Sequence, residues 1–405
     1  MPTAGFRTVC TACHQSLGRG FVPFCPDCGA MADVEYDLAT VELRDSVNPY
    51  VRFGDLLPVA DPTLLPTEAE PTPTVHATRL GEALGMSRLY LKDETKLPTG
   101  TTKDRMAAVA LAYLYECGVR RFATSSTGNS STAYAHAIAR IPELVMYLFT
   151  AAQFRDRVQA PAGDRVVNFV LRDATFVEAF EAARTFAEGE GIVAERGFFN
   201  PGRREGLKLA WLEAVDQVPE PIDWYVQAVS SAMGVYGVFK GAEELLALGR
   251  LPRLPRLLCV QQDTCAPMVS AWASGSENIR PEDIVHRPTG IAKAILRGNP
   301  SRAYPHVRRI VLQSGGTFAA VSDREIRDAR CAVEDLEGLA PCFSAAAAVA
   351  GLSKLRRLGQ VPADDTVLIN LSGRDRDEPA SLASARWLRR SNRGWVPEEL
   401  AAAQR

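Results

Sequence analysis

The chain of 405 residues is 46% hydrophobic and 23% charged, with a formal net charge of −2. That balance excludes partners recruited by bulk charge, whether nucleic acid or membrane surface, and no apolar run reaches the roughly 20 residues of a spanning helix. A signal-peptide core is not seen at the start, and four of the nine cysteines bunch there, which fits a reduced, cytoplasmic compartment better than a disulfide framework.

Length alone suggests roughly two to three domains. The first block is Cys10-Thr11-Ala12-Cys13 followed, eleven residues on, by Cys25-Pro26-Asp27-Cys28. Two C-x-x-C knuckles place four thiolates to close a tetrahedral zinc site, structural because no coordination position stays open. Reduced, metal-free cysteines are the alternative. Cys10 to His14 also spells a haem-attachment signature, which the second knuckle argues against. Zinc ribbons can bind nucleic acid, but residues 1–38 are not basic enough to favour that reading. Residues 39–76 form a proline-rich connection, typical of a functional loop or a wrapping linker.

From Thr78 a short helical pattern leads into the strand Arg88 to Lys92. Leu97-Pro98-Thr99-Gly100-Thr101-Thr102-Lys103-Asp104-Arg105 then opens an alanine-rich helix, Met106 to Tyr115. The positive end of the helix dipole disfavours a cation at Lys103, so its free amine is easier to reach, and such an amine can form a Schiff base. A solvated lysine beside Asp104 is the plain alternative. Phe122 to Ser125 reads as a strand, Ser126-Thr127-Gly128-Asn129-Ser130-Ser131 as a polar loop, and Thr132 to Arg140 as a helix, an order that aims N–H groups and hydroxyls at a carboxylate or phosphate.

Val145 to Phe149 and Val166 to Leu171 read as strands, Thr175 to Glu188 as an amphipathic helix, and Asn200 to Lys208 as the opening of another. Trp224 to Val229 is a strand, Ser230-Ser231-Ala232-Met233-Gly234 a loop, and Val235 to Leu248 a helix. Leu257 to Gln261, Ile310 to Leu312 and Thr366 to Leu371 read as further strands, and the basic run Arg386 to Arg393 as a solvated terminal helix. The alternation predicts an α/β fold with mostly parallel sheets, whose ligands gather at the carboxyl ends of strands.

One lysine at a helix mouth and two anion-cradling loops call for a ligand with an aldehyde and a phosphate, and pyridoxal phosphate fits. The chain resembles the threonine synthase family within the fold type II pyridoxal-phosphate enzymes. Leu89-Tyr90-Leu91-Lys92-Asp93-Glu94 with Pro98 to Arg105 resembles that family's cofactor-lysine segment, with Thr101-Thr102 where Ser-Phe is usual. Ser126-Thr127-Gly128-Asn129-Ser130 resembles its S-T-G-N-T loop, and Asn200-Pro201-Gly202-Arg203-Arg204-Glu205-Gly206-Leu207-Lys208 its N-P-x-R-x-E-G-x-K stretch. Ala294-Ile295-Leu296-Arg297-Gly298-Asn299-Pro300 looks like its A-I-R-I-G-N-P segment, and the cysteine-rich ribbon ending in Val34 to Leu38 recurs in such proteins.

The resemblance implies a tryptophan synthase beta-like architecture of two open α/β domains behind the ribbon. The expected division is 1–38 ribbon; 39–105 with 206–385 large cofactor-binding domain; 106–205 small domain; 386–405 tail. It implies that Lys103 holds pyridoxal phosphate as a Schiff base and later moves protons, and that Asn129 binds the cofactor's ring oxygen. Ser126, Thr127 and Ser130 would take the substrate carboxylate. Ser230, Ser231, Ala232, Met233 and Gly234 would hold the cofactor phosphate, and Ser372 would meet the pyridine nitrogen. A hydroxyl there makes the ring a weaker electron sink than a carboxylate would, which favours elimination or replacement over transamination.

Three departures bear on the substrate. The phosphate loop carries side chains where glycines are usual. The family's E-P-A-S-A-A run becomes Ala340-Pro341-Cys342-Phe343-Ser344-Ala345-Ala346, and its G-x-T-P appears as Ala69-Glu70-Pro71-Thr72-Pro73, without the glycine. The expected activity is threonine synthase-like γ-elimination of phosphate with β-hydration on an activated L-amino acid. The alternatives are β-replacement on an activated serine or threonine, and a catalytically silent binding homologue. The small amino-acid substrate is the expected partner, with a homodimer implied. Arg203 and Arg297 are candidates for contacting substrate anions, a structural ion pair being the alternative for each. Asp93 and Glu94 are expected to neutralise arginines, and Cys117, Cys259, Cys265, Cys331 and Cys342 to be buried thiols. The five histidines are given no role.

Overall fold

The computed structural model describes residues 5–160, 164–376, 385–392 and 394–398. At the N-terminal end β1 (Phe6–Cys10) pairs antiparallel with β2 (Ala32–Tyr36). Between them Cys10, Cys13, Cys25 and Cys28 converge, their sulfurs all within 4.8 Å of one another. In chain order there follow β3 (Thr74–His76), β4 (Leu89–Asp93), β5 (Arg121–Ser125), β6 (Val145–Ala151), β7 (Val166–Leu171) and β8 (Val193–Ala194). Then come β9 (Trp224–Ala228), β10 (Arg256–Gln262), β11 (Thr317–Val321), β12 (Val367–Leu371), β13 (Arg386–Ser391) and β14 (Gly394–Pro397).

These strands make two six-stranded sheets, one ordered β11-β10-β9-β12-β4-β3 and the other β14-β13-β7-β6-β5-β8. Only β3 and β14 run antiparallel to their neighbours. Every residue of β4, β9 and β12 is buried, the mark of central parallel strands covered by helices on both faces.

The site is positioned by three helices whose backbones touch. A Cβ on Gly206 would lie 2.5 Å from the Arg105 carbonyl oxygen, and one on Gly237 would lie 2.2 Å from that of Arg204. Only glycine permits these crossings, so the helices Lys103–Glu116, Pro201–Gln217 and Met233–Ala247 form one rigid stack. Lys103 and the Ser230 loop sit at the N-termini of two of its members.

Buried charges lock that stack. The Arg105 guanidinium binds Glu94 through Nε (2.7 Å) and Glu213 through Nη1 (2.6 Å), while Lys92 Nζ meets Glu213 at 2.7 Å. Thr72 donates its hydroxyl to Glu94 (2.7 Å), and its carbonyl accepts from Lys92 Nζ (2.7 Å). Two cations face two anions, so no net charge is buried. Asp93 does not join them: its carboxylate takes the Thr95 N–H at 3.1 Å, correcting the expectation that it neutralises an arginine. A second set ties the ribbon down, with Arg204 on Asp33 (3.2 Å), the Tyr36 hydroxyl on Glu205 (2.7 Å), Lys208 on Glu244 (2.7 Å), and Lys240 on Glu205 and the Val34 carbonyl. Asp33, Val34 and Tyr36 thus fasten the ribbon to the body of the protein.

Three sequence expectations are corrected here. Ile310 to Leu312 is not a strand but part of the helix Tyr304–Gln313, where Tyr304, Val307, Ile310 and Val311 are the buried stripe. A three-residue apolar run carries too little period to distinguish the two, and the edge strand is β11 instead. Within Arg386 to Arg393, residues Arg386–Ser391 form strand β13 and not a helix, because Trp387 and Leu388 pair beside Val170 and Leu171 of β7; Arg393 lies outside the described residues. Among the lone cysteines Cys259, Cys265 and Cys342 are buried, but Cys117 is only partly so and Cys331 is exposed on the helix Asp323–Glu337.

Candidate active site

β4 ends in a 3₁₀ turn, Glu94–Lys96, and the chain loops through Pro98 to Gly100 before Lys103 begins its helix. The loop is closed from within. Asp104 accepts the Thr99 N–H and hydroxyl, both at 2.7 Å, so its carboxylate is turned to the loop. Among the described residues the Lys103 Nζ has no hydrogen-bond or ion-pair partner. Burial, aided by the nearby Arg203 charge, pulls its pKa from 10.5 down to about 8. The same loop is strapped to the end of β12. The Thr102 N–H donates to the Ser372 carbonyl (3.0 Å), and the Arg374 N–H to that of Gly100 (2.9 Å). The altered run joins them through Cys342 N–H to the Gly373 carbonyl, 2.9 Å.

Lys103 and Ser372 line one cavity. The loop after β5 forms a second wall, contributing Ser126, Thr127, Asn129 and Ser130. The Ser126 Oγ accepts the N–H groups of Gly128 (3.0 Å) and Ser131 (3.2 Å), so this hydroxyl shapes the loop, and the Asn129 side-chain oxygen accepts from Arg376 at 3.1 Å. The loop after β9 gives the third wall, Ser230 to Gly234. Ala232 takes a left-handed conformation, φ +58°, despite its Cβ, and so turns the chain into the helix Met233–Ala247. The expected restriction of this loop by side chains is absorbed at that single residue.

Other lining residues escaped the sequence reading. Gln227, at the end of β9, packs against the loop so closely that a Cβ on Gly234 would lie 2.7 Å from its amide nitrogen. Its oxygen accepts from Tyr225 (2.7 Å), whose hydroxyl in turn accepts from Asn370 (2.8 Å). A polar amide inside an otherwise apolar strand, Trp224 to Ala228, was the available signal. Phe176 and Phe180, spaced i and i+4 on the helix Phe176–Gly189, add apolar wall.

The two candidate arginines differ. Arg203 is clamped by Glu195 through Nε and Nη2, and that carboxylate also accepts from Asn200 (2.8 Å) and Tyr134 (2.9 Å). It is the structural pair. Arg297 has no carboxylate among the described residues; its Nε reaches the Asn299 carbonyl at 3.4 Å and its guanidinium lies 5.6 Å from the Phe176 ring. Burial lowers its pKa only to about 10, so it is a cation at neutral pH.

The donor set fits a phosphorylated aldehyde. No aspartate or glutamate is among the residues lining the cavity, which also presents a free amine, a left-handed turn opening a helix, and Ser125, whose buried hydroxyl lacks a partner.

Comparison with known proteins agrees. The family model described as pyridoxal-phosphate dependent enzyme matches residues 65–373. A threonine synthase of Methanosarcina acetivorans is 31% identical over 93% of this chain and 93% of its own length. A cysteate synthase of Methanospirillum hungatei is 28% identical over 91% of this chain and 90% of its own. Among solved structures, a tomato threonine deaminase matches with TM-score 0.62 at 20% identity, covering 76% of this chain and 84% of that one. Maize serine racemase matches with TM-score 0.61 at 21%, covering 76% and 88%; at such identities the likeness concerns the fold.

Proposed function

We propose, because this chain belongs to the pyridoxal-phosphate dependent enzymes of fold type II and within them to the group of threonine and cysteate synthases, that it catalyses elimination or replacement on an activated L-amino acid. The observation that carries this is the unpartnered, pKa-lowered Lys103 amine in a carboxylate-free cavity walled by three polar loops. When bound, pyridoxal phosphate withdraws electron density from the α-carbon of an attached amino acid. Lys103 would hold the cofactor and then take the α-proton on Nζ. Ser230, Ser231, Ala232, Met233 and Gly234 would hold its phosphate, Asn129 its ring oxygen and Ser372 its ring nitrogen. Ser126, Thr127 and Ser130 would orient the substrate carboxylate, in the case of Ser126 by shaping the loop.

Threonine synthase-like γ-elimination of phosphate followed by β-hydration is the first reading. β-Replacement is the second, favoured by relatives named cysteate synthase that match nine-tenths of the chain. A panel of O-phosphohomoserine, O-phosphoserine and O-phosphothreonine, assayed for phosphate release with and without added nucleophile, separates them. Release from the first alone, yielding threonine, supports the first reading; release from O-phosphoserine that requires a nucleophile supports the second; release from none refutes both.

The four converging thiols suit a structural zinc. Elemental analysis is expected to find about one zinc per chain, lost in Cys13→Ser together with ribbon stability, and a metal-free wild type would refute the site. The chain divides most simply into the ribbon, 39–105 with 206–385, and 106–205; β13 and β14 add to the sheet of the last. A homodimer in the cytoplasm completes the reading; among the described residues no helix is long and apolar enough to cross a membrane.

A further inference from the structure

Asn129 stands between two cavities. It lines the Lys103 cavity and also a neighbouring one of about 460 Å³, on whose wall Arg157 and Arg376 lie. Its side chain makes a single hydrogen bond among the described residues, accepted by Oδ1 from Arg376 Nη2 at 3.1 Å. A guanidinium only donates, so the atom it meets is the amide oxygen, and the Nδ2 donor is turned the other way. Without that contact either end of the amide could face the Lys103 cavity.

Arg376 is itself held in place. Its Nη1 donates to the Arg157 carbonyl at 3.1 Å. That carbonyl lies against Gly128, φ +127°, where a Cβ would come within 2.7 Å of the same oxygen. The loops after β5 and β6 therefore touch at Gly128 and Arg157, and the guanidinium spans both. Arg376 reaches them from the other sheet, for it follows β12 just beyond Arg374, whose N–H holds the Gly100 carbonyl of the Lys103 turn at 2.9 Å. One side chain thus joins that turn to the loop that carries Asn129.

We infer that Arg376 is a positioning residue: through Asn129 Oδ1 it fixes the amide so that Nδ2 is the atom offered to the ring oxygen of the bound cofactor. The inference rests on the proposed function for the identity of that ligand. An N–H donor draws negative charge from the ring oxygen, and so disfavours a proton on the nitrogen that joins Lys103 to the cofactor. Losing the donor raises the pKa of that nitrogen.

The test titrates the absorption band of the cofactor-loaded protein, without substrate, in wild type, Arg376→Met, Asn129→Ala and the double variant. Asn129→Ala should raise the pKa by about one unit, the equivalent of one net hydrogen bond. Arg376→Met should raise it by about half as much, and the double variant by no more than Asn129→Ala alone, because the arginine acts only through the amide. A direct effect of the arginine's charge would add in the double variant, and a merely structural role would leave the titration unmoved; either overturns the assignment. So does an unmoved titration in Asn129→Ala, which would leave Arg376 no donor to orient. If Arg376→Met does not fold, Arg376→Lys, which cannot span both acceptors, should give a smaller shift of the same sign. Urea melts of the four cofactor-free proteins should show losses that are less than additive, since either change alone breaks the bond, and additive losses overturn the contact. A protein whose stabilities couple in this way yet takes up no pyridoxal phosphate would instead refute the proposed function, with the Arg376–Asn129 contact standing.

Discussion

On the proposed function, Lys103→Ala is expected to abolish the absorption band of a lysine-bound cofactor and to lower turnover by about a thousandfold or more, since it would remove both the covalent anchor and the proton-moving base. The fold should survive, because Nζ makes no contact that the helix needs and the loop is held by Asp104, Thr99 and the Ser372 strap. The pH dependence has a definite sign. Folded Lys103 titrates at about 8, below the ordinary 10.5 of a lysine, because burial and the Arg203 charge oppose the ammonium form. Cofactor uptake by the cofactor-free protein should therefore rise about tenfold per pH unit up to about 8 and level off above it. Between that value and 10.5 the unfolded chain binds more protons than the folded one, so the cofactor-free protein should gain stability as pH rises through that window. Stopped-flow absorbance and urea melts read these two effects. Uptake that ignores pH, or a band that survives in Lys103→Ala, would displace this lysine from its role.

Arg105→Leu should cost about 3–5 kcal/mol of stability, the usual penalty for stripping one member from a buried ionic set. It leaves Glu94 and Glu213 facing one another with only Lys92 between them, all three nearly without solvent. A domain holds only about 5–15 kcal/mol in total, so the variant is expected at the edge of folding. Arg105→Lys keeps the charge but not the fork that bridges both carboxylates, and should fall between. Denaturant titration of both variants is the measurement, and a loss below about 1 kcal/mol for Arg105→Leu would show that the set contributes nothing net. The helix that bears Arg105 also bears Lys103, so cofactor uptake should weaken in step.

The lysine and the polar loops that line the cavity were legible in the chain because each is local. A loop that cradles an anion needs small polar residues between the end of a strand and the start of a helix, and the loops at Ser126 and Ser230 and the turn before Lys103 have that form within a few residues. The fold class followed from the same alternation. Where the chain misled, the information was distant. Trp387 and Leu388 are strand residues only because β7 lies alongside, and Ile310 belongs to a helix because Tyr304 and Val307 share its buried face.

The sequence by itself determined the α/β architecture and the places where a lysine and two small polar loops open helices, since secondary-structure period and helix-mouth chemistry are written in neighbouring residues. Tertiary structure decided which charges remain available. Nothing adjacent in the chain distinguishes Arg203 from Arg297; Glu195, folded back beneath the first, pairs with it, whereas no carboxylate among the described residues pairs with the second. It also decided that Lys103 is not paired with its neighbour Asp104, whose carboxylate is taken by Thr99. A charge's chemistry depends on its partners through space, and those are set only when the helices pack.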